Sequence, residues 1–270
     1  MARHRAARSQ DAELGGPKMA RMYDYALGGG HNLGSDRELI DQLSTIRPDI
    51  QKSIWDNRAF LRRAVLFMIE SGIRQFLDLG AGIPTAGNVH EIAQKSEPDA
   101  RVVYVDRDSL AVNQFSLLLA GNPLATVVEA DIRQPGPIFA DPGTNRLLDL
   151  AEPVGVLALC VAHFLTDSEV DTAFTGLRDL VPAGSMLAIS HVTEDFPEAK
   201  VAEVLEAARQ AGSEMVHSRS KDQIRRLFGD FPLVEPGIVA PAGWRPDKRF
   251  PPGASPEDDG ALWAGVAIKS

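Results

Sequence analysis

The run RQFLDLGAGIPTAG, Arg74 to Gly87, sets an apolar segment against two glycines and a proline. RQFLDL is too short for a stable helix and stops at Gly80, so it reads as a strand entering a loop. Glycine at positions 80 and 82 lets the main chain approach a ligand with no Cβ in the way, although a plain tight turn uses glycine in the same manner. A dinucleotide fingerprint needs a third glycine three positions after the second, and Thr85 stands there; no Gly-Lys-Ser/Thr follows to make a phosphate loop. Pro84 also removes one backbone N–H from where a pyrophosphate would seek donors. The loop suits a nucleotide without phosphates.

Outward from this loop, short apolar runs alternate with helical patterns, the signature of βαβ units and a parallel sheet buried on both faces. The expected strands are RQFLDL, RVVYVD, TVVEAD, VGVLALCV and SMLAISHV. Helices are expected at NVHEIAQKS, LAVNQFSLLLAG and EVDTAFTGLRDLV, with Pro182 and Gly184 turning the chain into the fifth strand. Beyond it, EAKVAEVLEAARQAG and KDQIRRLF read as helices, and FPLVEPGIV with ALWAGVAIK as a terminal strand pair joined by a long Pro-, Gly- and acid-rich surface loop. Before the loop, residues 17–72 read as helical. Ser35 with Glu38 suggests a capping box, and a second helix from near Asp49 to Ser71 carries Ile54, Leu61, Val65 and Met68 on one stripe, with Gly72 as its left-handed cap.

Ligands of open α/β sheets collect at the carboxyl ends of the strands. Asp106 ends the second expected strand, where a carboxylate accepts from the hydroxyls of a ribose and disfavours a 2′-phosphate. Asp131 ends the third, positioned to accept from an adenine amine while Ile132 packs on the ring. A glycine loop, a ribose acid and an adenine acid at three successive strand ends describe an adenosine clamp with the phosphates missing. That is the shape of S-adenosylmethionine. An NAD-linked oxidoreductase shares the ribose acid, but Thr85 and Pro84 disfavour it.

The 270 residues carry 28 Lys and Arg against 37 Asp and Glu, a net charge of -9, which repels a polyanion and argues against nucleic acid as partner. The basic opening MARHRAARSQ belongs to a tail, residues 1–16, expected to be disordered. No apolar run approaches the roughly 20 residues a membrane helix needs, and no secretory signal opens the chain, so a cytoplasmic location is expected. A single cysteine, Cys160, lies inside an apolar run and reads as core. No clustered His and carboxylate pattern appears, and no metal is expected.

The segments ARMYDYALGGGHN, NRAFLRRAV, GIRQFLDLGAGIPTAGNVHE, ARVVYVDRD, PVGVLALCVAHFL, GSMLAISHV and LVEPGIV resemble a mostly bacterial family of S-adenosylmethionine-dependent methyltransferases, long catalogued as a domain of unknown function. The likeness runs from about Pro17 to the C-terminus. It implies an α/β fold, the Rossmann-like class I methyltransferase with a seven-stranded, mostly parallel sheet, an antiparallel terminal pair, and a helical N-terminal extension or lid over residues 17–72 ahead of a cofactor-binding domain at 73–270. Candidate cofactor contacts in the loop are Asp78, Gly80, Ala81 and Gly82. Asp106 and Arg107 follow the second strand, Asp131 and Ile132 the third, and Val161 and His163 the fourth. The N-terminal segment offers Tyr23, Tyr25, Asn32 and Arg58.

YDYALGGGHN could fold over a ligand, with a tyrosine hydroxyl or the Asn32 amide on the methionyl group, or it could simply pack as an arm on the sheet. Asn57 and Arg58 interrupt the stripe of the long helix, Arg58 facing either solvent or the cofactor carboxylate. Methyl transfer is an in-line displacement, so the protein mainly aligns the nucleophile and excludes water. Where the acceptor must lose a proton, His163 in CVAHFL is the candidate catalytic base, with His31 a weaker one. Trp244 and the loop up to Gly260 either wall an acceptor pocket or pack on the terminal strands. The expected reaction is methylation of a small-molecule acceptor; protein acceptors, and a protein that binds the cofactor without chemistry, are the competing readings. The acceptor atom and the oligomeric state are not legible.

Overall fold

The structure is a computed structural model, and it describes residues 16–85, 87–246 and 261–270. Apart from Gly16, the tail at 1–16 lies outside the described residues, as does most of the loop running to Gly260.

Three helices open the described chain: α1 (Met19–Ala26), α2 (Gly34–Ile46) and α3 (Ile50–Glu70). α2 starts one residue before the serine expected to cap it. Its cap is made by Asp36, whose Oδ2 accepts from the Leu33 N–H at 2.7 Å, and not by Ser35 with Glu38. Asp36 is fully buried because it also accepts from the Lys18 N–H and from Arg21 Nε at 2.7 Å, which ties α1 to α2. α3 has the expected bounds, with Gly72 beyond its end at φ +97.

The sheet contains β1 (Gln75–Leu79), β2 (Arg101–Asp106), β3 (Ala125–Glu129), β4 (Gly155–Leu159), β5 (Met186–Val192) and β6 (Leu262–Ile268). Its order is β3-β2-β1-β4-β5-β6, parallel throughout except for β5 against β6. Among the described residues six strands form where seven were implied. FPLVEPGIV meets β6 only through isolated bridges at Leu233 and Val239, because Pro232 and Pro236 have no N–H to donate and Gly237 turns at φ +83. The antiparallel pair at the sheet edge is therefore β5 with β6.

Between the strands lie α4 (Val89–Ser96), α5 (Ser109–Leu118) and α8 (Asp167–Leu180) at the expected positions, and α6 (Pro135–Ala140) and α7 (Pro142–Leu147), which had not been expected. These two short helices begin at prolines, Pro142 behind the Asp141 cap, so loop chemistry masks them in the sequence. α9 (Val201–Gln210) and α10 (Lys221–Leu227) complete the fold.

Alternate residues of each central strand feed two apolar layers. Leu77, Val103, Val156 and Leu187 pack with α8 through Phe174 and Leu177. Phe76, Val102, Leu157 and Ala188 pack on the opposite face with Phe60, Ala64 and Met68 of α3. Trp244 belongs to this second layer, fully buried and edge-on to Phe60 at 5.3 Å, with Arg63 Nε donating to its carbonyl, and it is not among the residues that line the cavity at the strand ends. A third, smaller apolar seam joins Leu39, Ile40 and Leu43 of α2 to Val204 and Ala208 of α9, roofing the carboxyl ends of the strands.

Candidate functional site

β1 delivers the glycine loop to the point where the sheet order reverses, between β1 and β4. Gly80 and Gly82 have φ of +69 and +64, a region that L side chains avoid. The N–H groups of Gly80 and Ala81 donate to the Val105 carbonyl at 2.8 and 3.0 Å, and that of Gly82 to Asp106 Oδ2 at 2.7 Å. These three loop amides are thus bound to β2 rather than offered to a pyrophosphate. A Cβ on Gly80 would strike Val161, so that glycine serves packing, whereas Gly82 opens toward the cavity.

Asp106 accepts a second amide, that of Asp108, through Oδ1 at 2.9 Å. Asp108 in turn caps α5 through the Leu110 N–H and pairs with Lys18 at 2.7 Å. Past β3, Asp131 is gripped by Arg133, whose guanidinium holds its carboxyl below the usual range and also reaches Glu169. Ile132 and Asp131 both line the cavity, as does Arg107, which pairs with Glu214 at the rim.

Cys160 directly follows β4, and here the expectation of a core thiol is corrected. Cys160 is half-buried at φ +51, its N–H held by Ser190, and it lines the cavity. Val161 and His163 follow in the same wall. His163 is buried with no partner for Nδ1 among the described residues. Burial, reinforced by the neighbouring His191 and Arg219, pushes its pKa well below the ordinary imidazole value and keeps it neutral.

From the N-terminal helices come Tyr23, Asn57 and Arg58. Asn57 Nδ2 donates to the Tyr23 hydroxyl at 3.0 Å and lies 3.3 Å from Cys160 Sγ. Arg58 turns into the cavity and donates to Thr85 Oγ1. Tyr25, Asn32 and His31 do not line the cavity. The glycine run closes on a side chain of the protein itself: Asp24 Oδ2 accepts from the His31 N–H at 2.8 Å and from Asn32 Nδ2 at 2.9 Å, and a Cβ on Gly29 would lie 1.9 Å from Asp24 Oδ1. Buried Asp24 thus organises the segment that the sequence suggested would cover a ligand.

These elements enclose a cavity of about 510 Å³, within the range of roughly 300–1,000 Å³ typical of small-molecule sites. Asp78 in its wall is driven up to about 7, first by burial, then by the nearby Asp106 against the opposing pull of Arg58. In the folded chain it therefore holds its proton up to about pH 7, and in the unfolded chain only to its ordinary 3.8. Between these values the folded state binds more protons, so this contribution to stability is full below about pH 4 and is lost as pH rises through 7. The loss is at most about 4 kcal/mol. The thermal midpoint of Asp78→Asn, which stays neutral, is expected to rise relative to that of the unliganded wild type between pH 5 and 8; parallel curves would refute the assignment.

The sequence profile of the S-adenosyl methyltransferases matches residues 5–270. The chain belongs to this family. A solved chain from Thermobifida fusca YX, described as a candidate methyltransferase, is similar to this methyltransferase at 37% identity and TM-score 0.87, over 95% of this chain and 96% of that one. A DUF574 family protein from Streptomyces avermitilis MA-4680 is similar at 36% identity and TM-score 0.89, over 96% and 99%. The magnesium protoporphyrin IX methyltransferase of Synechocystis PCC 6803, solved with bound S-adenosylhomocysteine, shares the fold at 16% identity and TM-score 0.53, over 82% and 87%. Among curated proteins none matches the chain. The methyltransferase uses S-adenosylmethionine, and the cavity residues fit it. Arg58 Nε and Asn57 Oδ1 are buried in the wall with no partner among the described residues, the condition that a missing polar ligand leaves.

Sequence reasoning passed over Asn57 and Cys160 as parts of this site. The one available signal was the polar break that Asn57 makes in the apolar stripe of α3.

Proposed function

We propose that this methyltransferase acts on a small, largely apolar acceptor. The supporting observation is the far wall of the cavity, where Ile40 and Leu43 of α2, Ile54 and Leu61 of α3, and Val204 and Leu205 of α9 face a space beneath the α2–α9 seam. An apolar wall under a helical roof favours a compact acceptor over an extended polymer, and the net charge of -9 weighs against nucleic acid.

In this reading the cofactor supplies an activated methyl on a sulfonium. Asp106 accepts from the ribose hydroxyls, Ile132 packs on the adenine and Asp131 accepts from its amine, and Arg58 takes the methionyl carboxylate. The apolar wall and the N-terminal helices, acting as a cover, exclude water and align the acceptor for in-line attack. His163 is the proposed proton acceptor, supported by its unpartnered Nδ1 and its neutrality. Its low basicity suits taking a proton during attack better than ionising the nucleophile beforehand.

Methyl-labelled S-adenosylmethionine incubated with the enzyme and a size-fractionated cell extract is the test. Label is expected in the small-molecule fraction. Label confined to protein or nucleic acid overturns the acceptor class, and cofactor binding with no transfer to any fraction favours a sensing role.

A further inference from the structure

We infer that Arg219, acting with His191, is the positioning residue that sets the imidazole of His163 in the cavity wall. The inference rests on His163 as the proton acceptor of the methyl transfer, and assigns what holds it in place.

His163 sits in a single turn after β4, Ala162–Phe164, too short to be rigid by itself. The chain between α9 and α10 supplies the hold. The His217 N–H donates to the His163 carbonyl at 2.8 Å, and the Arg219 guanidinium takes carbonyls on either side, Ala162 through Nη1 at 3.2 Å and Leu165 through Nη2 at 2.8 Å. Arg219 is buried. Its remaining N–H groups go to Asp167 Oδ1, from Nε at 3.2 Å and Nη2 at 2.9 Å, and to His191 Nε2, from Nη1 at 2.9 Å. A guanidinium this far from water has to be fully paired, and all five of its donors are spent here. They bracket the one histidine among the described residues that line the cavity.

The same contacts fix His191. Its Nδ1 lies 2.8 Å from the Val192 carbonyl, which only accepts, so Nδ1 carries the proton; its Nε2 faces Arg219, which only donates, so Nε2 is bare. Burial, with Arg219 beside it, brings the His191 pKa down to about 4 against the pull of that carbonyl. The result is a neutral ring in one tautomer. It lies edge-on to His163 with centroids 5.7 Å apart, and Phe164 lies edge-on at 4.4 Å, so two rings frame the imidazole above a turn whose carbonyls are tied down. His191 from β5, with His217 and Arg219 from the α9–α10 connection, each oppose an imidazolium at His163.

NMR of the full chain labelled in its histidine rings reads the tautomer and protonation of each ring, the His163 signal being the one lost in His163→Gln. Wild-type His191 is expected as the Nδ1–H tautomer, and wild-type His163 as neutral at pH 6.5, its ordinary midpoint. In Arg219→Gln, His163 is expected to titrate closer to that midpoint. Transfer of labelled methyl from S-adenosylmethionine to the small-molecule fraction of a cell extract is expected to fall about 10- to 100-fold, the loss deepening as pH falls, with S-adenosylhomocysteine affinity unchanged. Arg219→Lys keeps the charge and is expected to keep His163 neutral while restoring only part of the transfer. A His163 titration unmoved by Arg219→Gln overturns the proposal, as does the opposite tautomer of His191 in the wild type. Stability, cofactor affinity and transfer lost in step mean a purely structural role and overturn it too. Undiminished transfer in His163→Gln is a separate failure: it removes the base itself, while the ring titrations still report what holds His163.

Discussion

Asp106→Ala is expected to lower the affinity for S-adenosylhomocysteine by about a hundredfold or more. The side chain holds two backbone amides, from Gly82 at 2.7 Å and Asp108 at 2.9 Å, and so joins the glycine loop of β1 to the start of α5. Hydrogen bonds to a charged group contribute about 1.5–3 kcal/mol each, and a loss of about 3 kcal/mol is more than a hundredfold in binding. The proposed ribose contact adds to this. Asp106→Asn keeps one acceptor oxygen and is expected to fall between wild type and alanine. Titration calorimetry at fixed pH reads both, and alanine binding at wild-type strength would remove Asp106 from the site.

Gly80→Ala is expected to be the most destabilising single change in the loop. Two independent costs meet there. The residue sits at φ +69, and an added Cβ would lie 2.2 Å from Val161 Cγ2 and 2.7 Å from Val161 Cβ. Rotating the valine does not relieve a clash with its Cβ, so the backbone at the end of β4 must move. Strain and overpacking together predict a loss of about 3 kcal/mol or more, read as a drop in thermal midpoint of several degrees, with cofactor binding lost in parallel. Gly80→Ala with Val161→Ala is expected to recover part of the stability, because only the dihedral cost remains. Gly30→Ala meets no atom within 4 Å and is the control, expected to change little.

Both sites were visible in the sequence, but the roles of the glycines were only half legible. That Gly80 and Gly82 close a strand follows from the apolar run before them. That their amides face β2, and that Gly80 is required by a valine about eighty residues later, depends on β4 lying beside β1. The glycine run at 28–30 shows the same limit. Its flexibility was plain, yet its occupant is Asp24, whose carboxylate fills the space beside Gly29 and takes the His31 N–H and the Asn32 amide that follow the run. The terminal strand pair failed for a local reason present in the sequence, the two prolines that cannot donate to a ladder.

The order of the five parallel strands and of the longer helices between them was determined by the sequence alone, because parallel strands buried on both faces must be apolar at nearly every position and the intervening helices must not. So were the acids at the ends of β2 and β3, which follow from where those runs stop. The tertiary structure alone decided which side of α3 meets the cavity and that Cys160 emerges from the core. It also decided that Asn57, 103 residues away in the chain, stands beside that cysteine. Periodicity specifies that a helix has a polar break; only the packing of α3 against the sheet specifies what the break faces.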